Sequence, residues 1–431
     1  MKNVFLMVVI CVCLGSYPKN IQAQIWSTST YVGAVLDHSH EIKKSIESVE
    51  IAKNSYIKTF SDAFIPSITF SATNTPYSAY NNPSLDFDKD NTTVNTGLSI
   101  NLFNSFKDKK AIDISSIGAE ISEINLLLKK QQIALVSLGS YYDVLRKKKL
   151  LEVVKASKQS YEEQYKKVKH YYENGMKSLS HLLKSDLNYR NSHLREIGAV
   201  KNYKTSMMSF NVLLYVSPGA EVNISDIDKR YKKTLPDMKV DIKYALENRP
   251  EMKLAKLALK KGLLEKSKAS LNSLPNFSVY ANWDKSGLGQ IGRAASGATD
   301  PTYSLAAALS IPIGPETITD RNTIVASKIK VKENSRYIKL LEFEIEKEII
   351  SEYLSLETAL KTHEVSKLKT DISKKNLEIV NQKYSEGQSG MIELAEAQDD
   401  DLNSQSEFAN SFYDLLLSRA KYDKAVGIQL W

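Results

Sequence analysis

Cysteine is nearly missing from this chain. There are two in 431 residues, Cys11 and Cys13, and both sit in the first fourteen. Beyond that segment a disulfide framework, a thiol nucleophile and cysteine metal sites are all excluded. Proline and glycine are also sparse, at 11 and 17 residues, while Leu, Ile, Lys, Glu and Ser abound, a bias that favours helix over most of the length. No stretch after the N-terminus runs to eighteen apolar residues, so any contact with a membrane must be made by β-strands. Charge of one sign is in small excess, formally +8, and Lys2 and Lys19 belong to the first segment. The rest is interspersed, and Arg146–Lys149 reads as a solvated helix face. No nucleic-acid motif accompanies it, so nucleic acid is not a partner. No nucleophile–base constellation stands out, so the chain reads as no enzyme, without a cofactor.

What is present begins with an export signal over residues 1–23. Lys2 supplies its positive end, and Val4–Leu14 form an apolar run too short to span a bilayer. Ala23 is small enough to precede the cut, which puts the mature start at Gln24. A lipoprotein signal ending at Cys11 or Cys13 is the rival, but bulky Ile10 and Val12 precede those cysteines.

The main signal of organisation is duplication. LSINL at 98–102 returns as LSIPI at 309–313, and YENG at 172–175 returns as YSEG at 384–387. Pro66 in FIPSITF returns as Pro275 in SLPNFSV, and the three offsets are 211, 212 and 209. Each copy runs in the order helix, two strands, long helix, glycine turn and second helix. The first copy spans 24–216, with a β-hairpin over 64–102 and a helical hairpin over 107–215. A linker or small side domain covers 217–239. The second copy spans 240–431, with a β-hairpin over 275–313 and a helical hairpin over 320–426.

The strands alternate. Val94, Thr96, Leu98, Ile100 and Leu102 share one face, with Asn95, Gly97, Ser99 and Asn101 on the other. Ile68, Phe70 and Ala72, then Phe277, Val279, Ala281 and Trp283, then Tyr303, Leu305, Ala307, Leu309, Ile311 and Ile313 behave likewise. Such strands are long enough to cross a bilayer when tilted. An ordinary half-buried antiparallel sheet has the same alternation. Four strands cannot close a barrel, and an open edge in lipid is forbidden, so a membrane role requires several chains. The long helices carry an apolar stripe. Leu341, Ile345, Ile349, Tyr353, Leu356 and Leu360 step by four, four, four, three and four. Such helices must pack on each other or on neighbouring chains. Met207, Met208 and Phe210 read as core.

Three patterns invite over-reading. Gly287, Gly289 and Gly292 spell GxGxxG but lie between two strands, where no dinucleotide site forms. That stretch, Lys285–Asp300, and its counterpart Asn74–Asn91 read as surface hairpin loops. His38 and His40 are a bare HxH without a third ligand, so no metal is expected. Asp399–Asp401 reads as a partly solvated acidic run on a helix rather than a metal site.

With these features in view, the chain resembles the TolC family of outer-membrane efflux proteins over nearly the whole mature length. The carriers are ALENRPEMKLAKLALKKGLLEKSKASLNSLPNFSV, LSIPIG and KYSEGQSGMIELAEAQ, each with a full or partial duplicate in the first half. The resemblance implies a mainly α fold with a β-barrel part. Duplicated long helical hairpins would form a periplasmic α-barrel, and a homotrimer would pool four transmembrane strands per subunit into a 12-stranded β-barrel. The chain would be a passive duct in the outer membrane, touching outer-membrane lipid. A periplasmic adaptor protein and an inner-membrane pump would be its partners, and small molecules its cargo. A type I protein-secretion duct has the same architecture. From different classes come a periplasmic adaptor or structural coiled-coil protein and a surface adhesin stalk, and neither needs two barrel-length strand pairs.

Matched from Gly387, Glu393 and Glu396 fall on the paired acidic positions that narrow the family's pore. Their spacing of three puts both carboxylates on one helix face, and a trimer would stack them as two cation-attracting rings. Tyr384 matches an entrance tyrosine. His181 stands where an acidic residue is expected and Ser389 where an arginine is, so the charged part of the closing network departs from the family pattern. His181 would make the entrance pH-sensitive, because histidine titrates near neutrality. Gly175, Leu179, Gly387 and Met391 would form the tip that receives the adaptor.

Overall fold

The structure is a computed structural model that describes residues 25–75, 91–226, 234–286, 300–313 and 315–431. The export signal with Cys11 and Cys13, nearly all of the Asn74–Asn91 loop, and Gly287, Gly289 and Gly292 lie outside the described residues. The elements run β1 (Ile25–Trp26), α1 (Thr28–His38), α2 (His40–Phe64), β2 (Ser67–Thr75), β3 (Asn91–Phe103), α3 (Lys107–Glu173) and α4 (Leu179–Leu213). Then come β4 (Asn223–Ile224), α5 (Met238–Asn248), α6 (Pro250–Ala269), β5 (Asn276–Lys285), β6 (Thr302–Ser310), α7 (Pro315–Ser385) and α8 (Met391–Val426). No described helix is long and apolar enough to cross a membrane. The chain divides into two compact units, one of residues up to 39, 131–237 and 350–431, the other of 40–130 and 238–349.

The second of these units holds a four-stranded antiparallel sheet in the order β2-β3-β5-β6. Its register sorts the side chains by chemistry. Ile68, Leu98, Ala281 and Leu305 align in one row across the sheet, and Phe70, Thr96, Trp283 and Tyr303 in the next. The opposite face carries rows such as Thr69, Gly97, Asn282 and Ser304. Glycine is required at 97, because a Cβ there would meet Thr69 Oγ1 at 2.8 Å. The apolar face is left open: Ile68, Phe70, Tyr303, Leu305 and Leu309 are all exposed. β6 ends at Ser310, three residues before the expected Ile313, where Pro312 removes a ladder donor. β3 carries a bulge at Asn101/Phe103, and Phe103 then packs edge-on against Phe106 at 5.4 Å.

In the other unit the core lies among α1, α3 and α4. Tyr31 stacks on Phe210 at 3.9 Å, and Tyr141 sits 6.2 Å from Phe210. The Tyr141 hydroxyl donates to the carbonyl of Ser225 at 2.7 Å, beside the two-residue parallel pair β1·β4. That pair ties the segment after α4 to the start of the described chain, which periodicity alone does not reveal. Phe210 is fully buried and Met207 packs against this core, but Met208 is exposed. The expected core position of Met208 is thereby corrected: a 100° turn per residue sends it away from Phe210.

Two helix boundaries also differ. The one helix expected before the first β-hairpin is two, broken at Ser39, whose ψ of 122° leaves the helical region. α7 starts at Pro315 rather than Asp320, with proline in the first turn, where its missing N–H costs nothing. The α7 stripe is buried as expected at Leu341, Ile345, Ile349 and Leu356.

Candidate functional site

The two helical hairpins turn in the same way. After α3, Gly175 takes φ +70°; its N–H donates to the carbonyl of Tyr172 at 2.9 Å, and Met176 N–H to that of Tyr171 at 2.8 Å. After α7, Gly387 takes φ +78°, with its N–H on Tyr384 O at 3.2 Å and Gln388 N–H on Lys383 O at 2.8 Å. Each is a Schellman closure, and each requires the left-handed backbone that glycine adopts freely. The duplicated YxxG signature therefore specifies duplicated backbone geometry.

The side chains at the two turns are not duplicated. Tyr384 is buried with Val168, Val380, Met391, Leu394 and Ala397, and Leu182 and Leu377 pack against this cluster. Its first-copy counterpart Tyr172 is exposed. Burial pushes the Tyr384 phenol above its ordinary value, and its hydroxyl finds no hydrogen-bond partner. The Lys177 ammonium stands over the Tyr384 ring, 5.3 Å from its centre, so the first turn clasps the second by a cation–π contact. Nothing in the sequence pairs Lys177 with Tyr384, because the contact joins the two copies.

The remaining candidates are placed as follows. Glu393 and Glu396 are both exposed, one turn apart in the first two turns of α8. The Ser389 hydroxyl donates to Glu393 Oε2 at 2.6 Å. His181 Nδ1 lies 2.8 Å from Ser178 Oγ at the start of α4, so histidine and serine pair locally in the first copy as serine and glutamate do in the second. Lys184 is exposed at the position matching Glu396. Gly175 and Gly387 are exposed, as is Leu179. Met391 is not on the surface: it is buried in the Tyr384 cluster, and its neighbour Ile392 is exposed instead. The expected adaptor contact at Met391 is corrected accordingly, since one residue's helical rotation exchanges the two. The exposed apolar residues at the turns are Met176, Leu179 and Leu183 from the first copy and Ile392 from the second. Among the described residues no group of three or more His, Cys, Asp or Glu could hold a metal, and His38 is bound to its own helix through Ala34 O at 2.8 Å.

Two long helical hairpins and a four-stranded sheet with an exposed apolar face are the features that known structures share with this chain. Residues 32–213 match the family model described as outer membrane efflux protein. No curated relative matches the chain in sequence. Solved structures with the same fold include VceC of Vibrio cholerae, at 14% identity and a TM-score of 0.75, covering 94% of this chain and 97% of that one. CmeC of Campylobacter jejuni is 17% identical with a TM-score of 0.74, covering 93% and 85%. The open-state MtrE channel of Neisseria gonorrhoeae is 14% identical with a TM-score of 0.74, covering 94% and 89%. The family match covers the first half of the chain, and the fold of the whole is that of these outer-membrane channels.

Proposed function

We propose that three copies of this chain close into one duct that passes small molecules out through the outer membrane, fed by a periplasmic adaptor and an inner-membrane pump. The observation that carries this reading is the open sheet. Its four strands alternate in direction, so β6 of one copy meets β2 of the next antiparallel, and the row of copies can close. Its exposed apolar face and unpaired edges suit lipid only once closed, because an unmet backbone group in hydrocarbon costs several kcal/mol. Two helix faces support the same assembly. α4 exposes Leu183, Leu187, Leu194 and Ile197, and α7 exposes Val365, Leu368, Ile372 and Ile379. Both are stripes at helical spacing left exposed among the described residues, suited to packing on neighbouring copies.

Within this reading Glu393 and Glu396 ring the entrance, Tyr384 with His181 and Ser389 lines the gate, and Gly175, Leu179 and Gly387 belong to the tip that docks the adaptor. Native mass measurement of the protein extracted from outer membranes with detergent tests the assembly. Three copies per particle are expected, and a particle of one copy overturns it. Conductance across planar bilayers tests the rings: Glu393→Ala with Glu396→Ala lowers cation selectivity, and unchanged selectivity removes both from the pore.

A further inference from the structure

Away from the turns, α3, α7 and α8 enclose a small cavity of about 100 Å³. Ser157 and Ser160 of α3, and Gln398, Asp401 and Gln405 of α8, supply its polar wall. Several hydrogen bonds are already made there. Gln398 Nε2 donates to Ser160 Oγ at 3.1 Å, and Gln405 Nε2 donates to Asp401 Oδ2 at 2.7 Å. What remains are two buried acceptors without a protein donor, Gln398 Oε1 and Asp401 Oδ1. Gln398 is only 7% exposed, so bulk water does not supply what is missing. One turn along α3, Gln164 is 9% exposed and also leaves both amide atoms unpartnered.

A buried acceptor left unmet is costly, and more so when charged. Burial holds the Asp401 carboxyl above the usual carboxylate range, partly offset by the Gln405 bond and by Lys374, while Glu378 adds to the rise. Lys374 and Glu378 face it from α7 with opposite charges, and both are exposed, so neither neutralises it well. A water molecule could satisfy the two acceptors but would leave the carboxylate charge uncompensated. A divalent ion asks for more carboxylates than the one present here. A small singly charged cation matches the single carboxylate and the oxygens of Gln398, Ser157 and Ser160 that share the cavity with it.

We propose that this cavity is a binding site for a sodium-sized monovalent cation, held by Asp401 Oδ1, Gln398 Oε1 and the hydroxyls of Ser157 and Ser160. The ion locks α3 to α8 well away from the turns, and it is independent of what the duct carries. The sequence reading of Asp399–Asp401 as a solvated run is sharpened by this. Asp399 is engaged by Arg195 at 2.6 Å and by Tyr161 at 2.9 Å, while Asp401 turns to the cavity.

The test is thermal unfolding of the full-length protein in detergent, in sodium chloride and in choline chloride at equal ionic strength and neutral pH. A ligand that binds only the folded state raises the midpoint with its concentration. The wild type is expected to melt several degrees higher in sodium, and Asp401→Asn to melt equally in both salts. Equal midpoints for the wild type, including a melt that moves with pH but not with sodium, overturn the proposal, as does a full sodium response in Asp401→Asn. Should Asp401→Asn fail to fold, Ser157→Ala keeps the carboxylate and removes one ligand. It is expected to weaken sodium binding, read as a smaller rise of the midpoint with sodium concentration, and an unchanged response overturns the assignment.

Discussion

The turns at Gly175 and Gly387 share a backbone and differ in nearly everything attached to it. Both close by the same pair of hydrogen bonds, yet Tyr384 is buried where Tyr172 is exposed, and Met391 is buried where Leu179 is exposed. The charges differ too: His181 and Lys184 occupy the positions of Glu393 and Glu396. Duplication preserved what the chain must do locally to reverse direction. Side-chain roles diverged because each copy meets different neighbours. The second turn is the packed one, and the first reaches across to it through Lys177.

The comparison breaks most visibly at the tyrosines. Tyr384→Ala empties a core position and should cost about 3–5 kcal/mol, as large aromatic truncations do. Tyr172→Ala, at an exposed site, should stay within about 0.5 kcal/mol. Hydrogen exchange at the ends of α7 and α8 reads the difference as local opening, and equal losses would mean the two turns are equally packed. Met391→Ala and Leu179→Ala form the next pair. The first should cost about 2–5 kcal/mol and the second almost nothing in the isolated protein. Leu179→Ala should instead weaken capture of the adaptor, measured by co-purification.

Tyr384→Phe separates packing from gating. The hydroxyl has no partner among the described residues and is costly to bury, so its removal should leave stability equal or raise it by about 1 kcal/mol. A change in resting conductance in this variant would show that the hydroxyl acts across subunits. Where the copies agree, Gly175→Ala and Gly387→Ala should each cost about 1 kcal/mol, since both positions need positive φ and neither is crowded. The smallest effect expected is for Ser389→Ala, about 0.5 kcal/mol, from the loss of an exposed bond to Glu393. Each is read from the unfolding midpoint of the detergent-extracted protein.

Much of the architecture was legible without coordinates. The bounds of α3 and α8 fall at Lys107–Glu173 and Met391–Val426 as periodicity and glycine placement imply. The two-residue alternation of β2, β3, β5 and β6 put apolar and polar side chains on the faces they occupy. These are local properties, set by helix and strand geometry one residue at a time. The break at Ser39, the outward turn of Met208 and the exchange of Met391 for Ile392 were harder. Each depends on a rotation of about one residue that many sequences tolerate.

What the sequence by itself determined is the duplicated frame: helix, strand pair, long hairpin and glycine closure, twice. Only the tertiary structure decided which copy's tyrosine is buried, that Lys177 covers it, and that Asp401 and Gln398 share one cavity. Those outcomes join residues more than two hundred positions apart, or from three helices at once. No local pattern encodes such a meeting. It follows from the packing of long helices whose stripes fit only in certain registers.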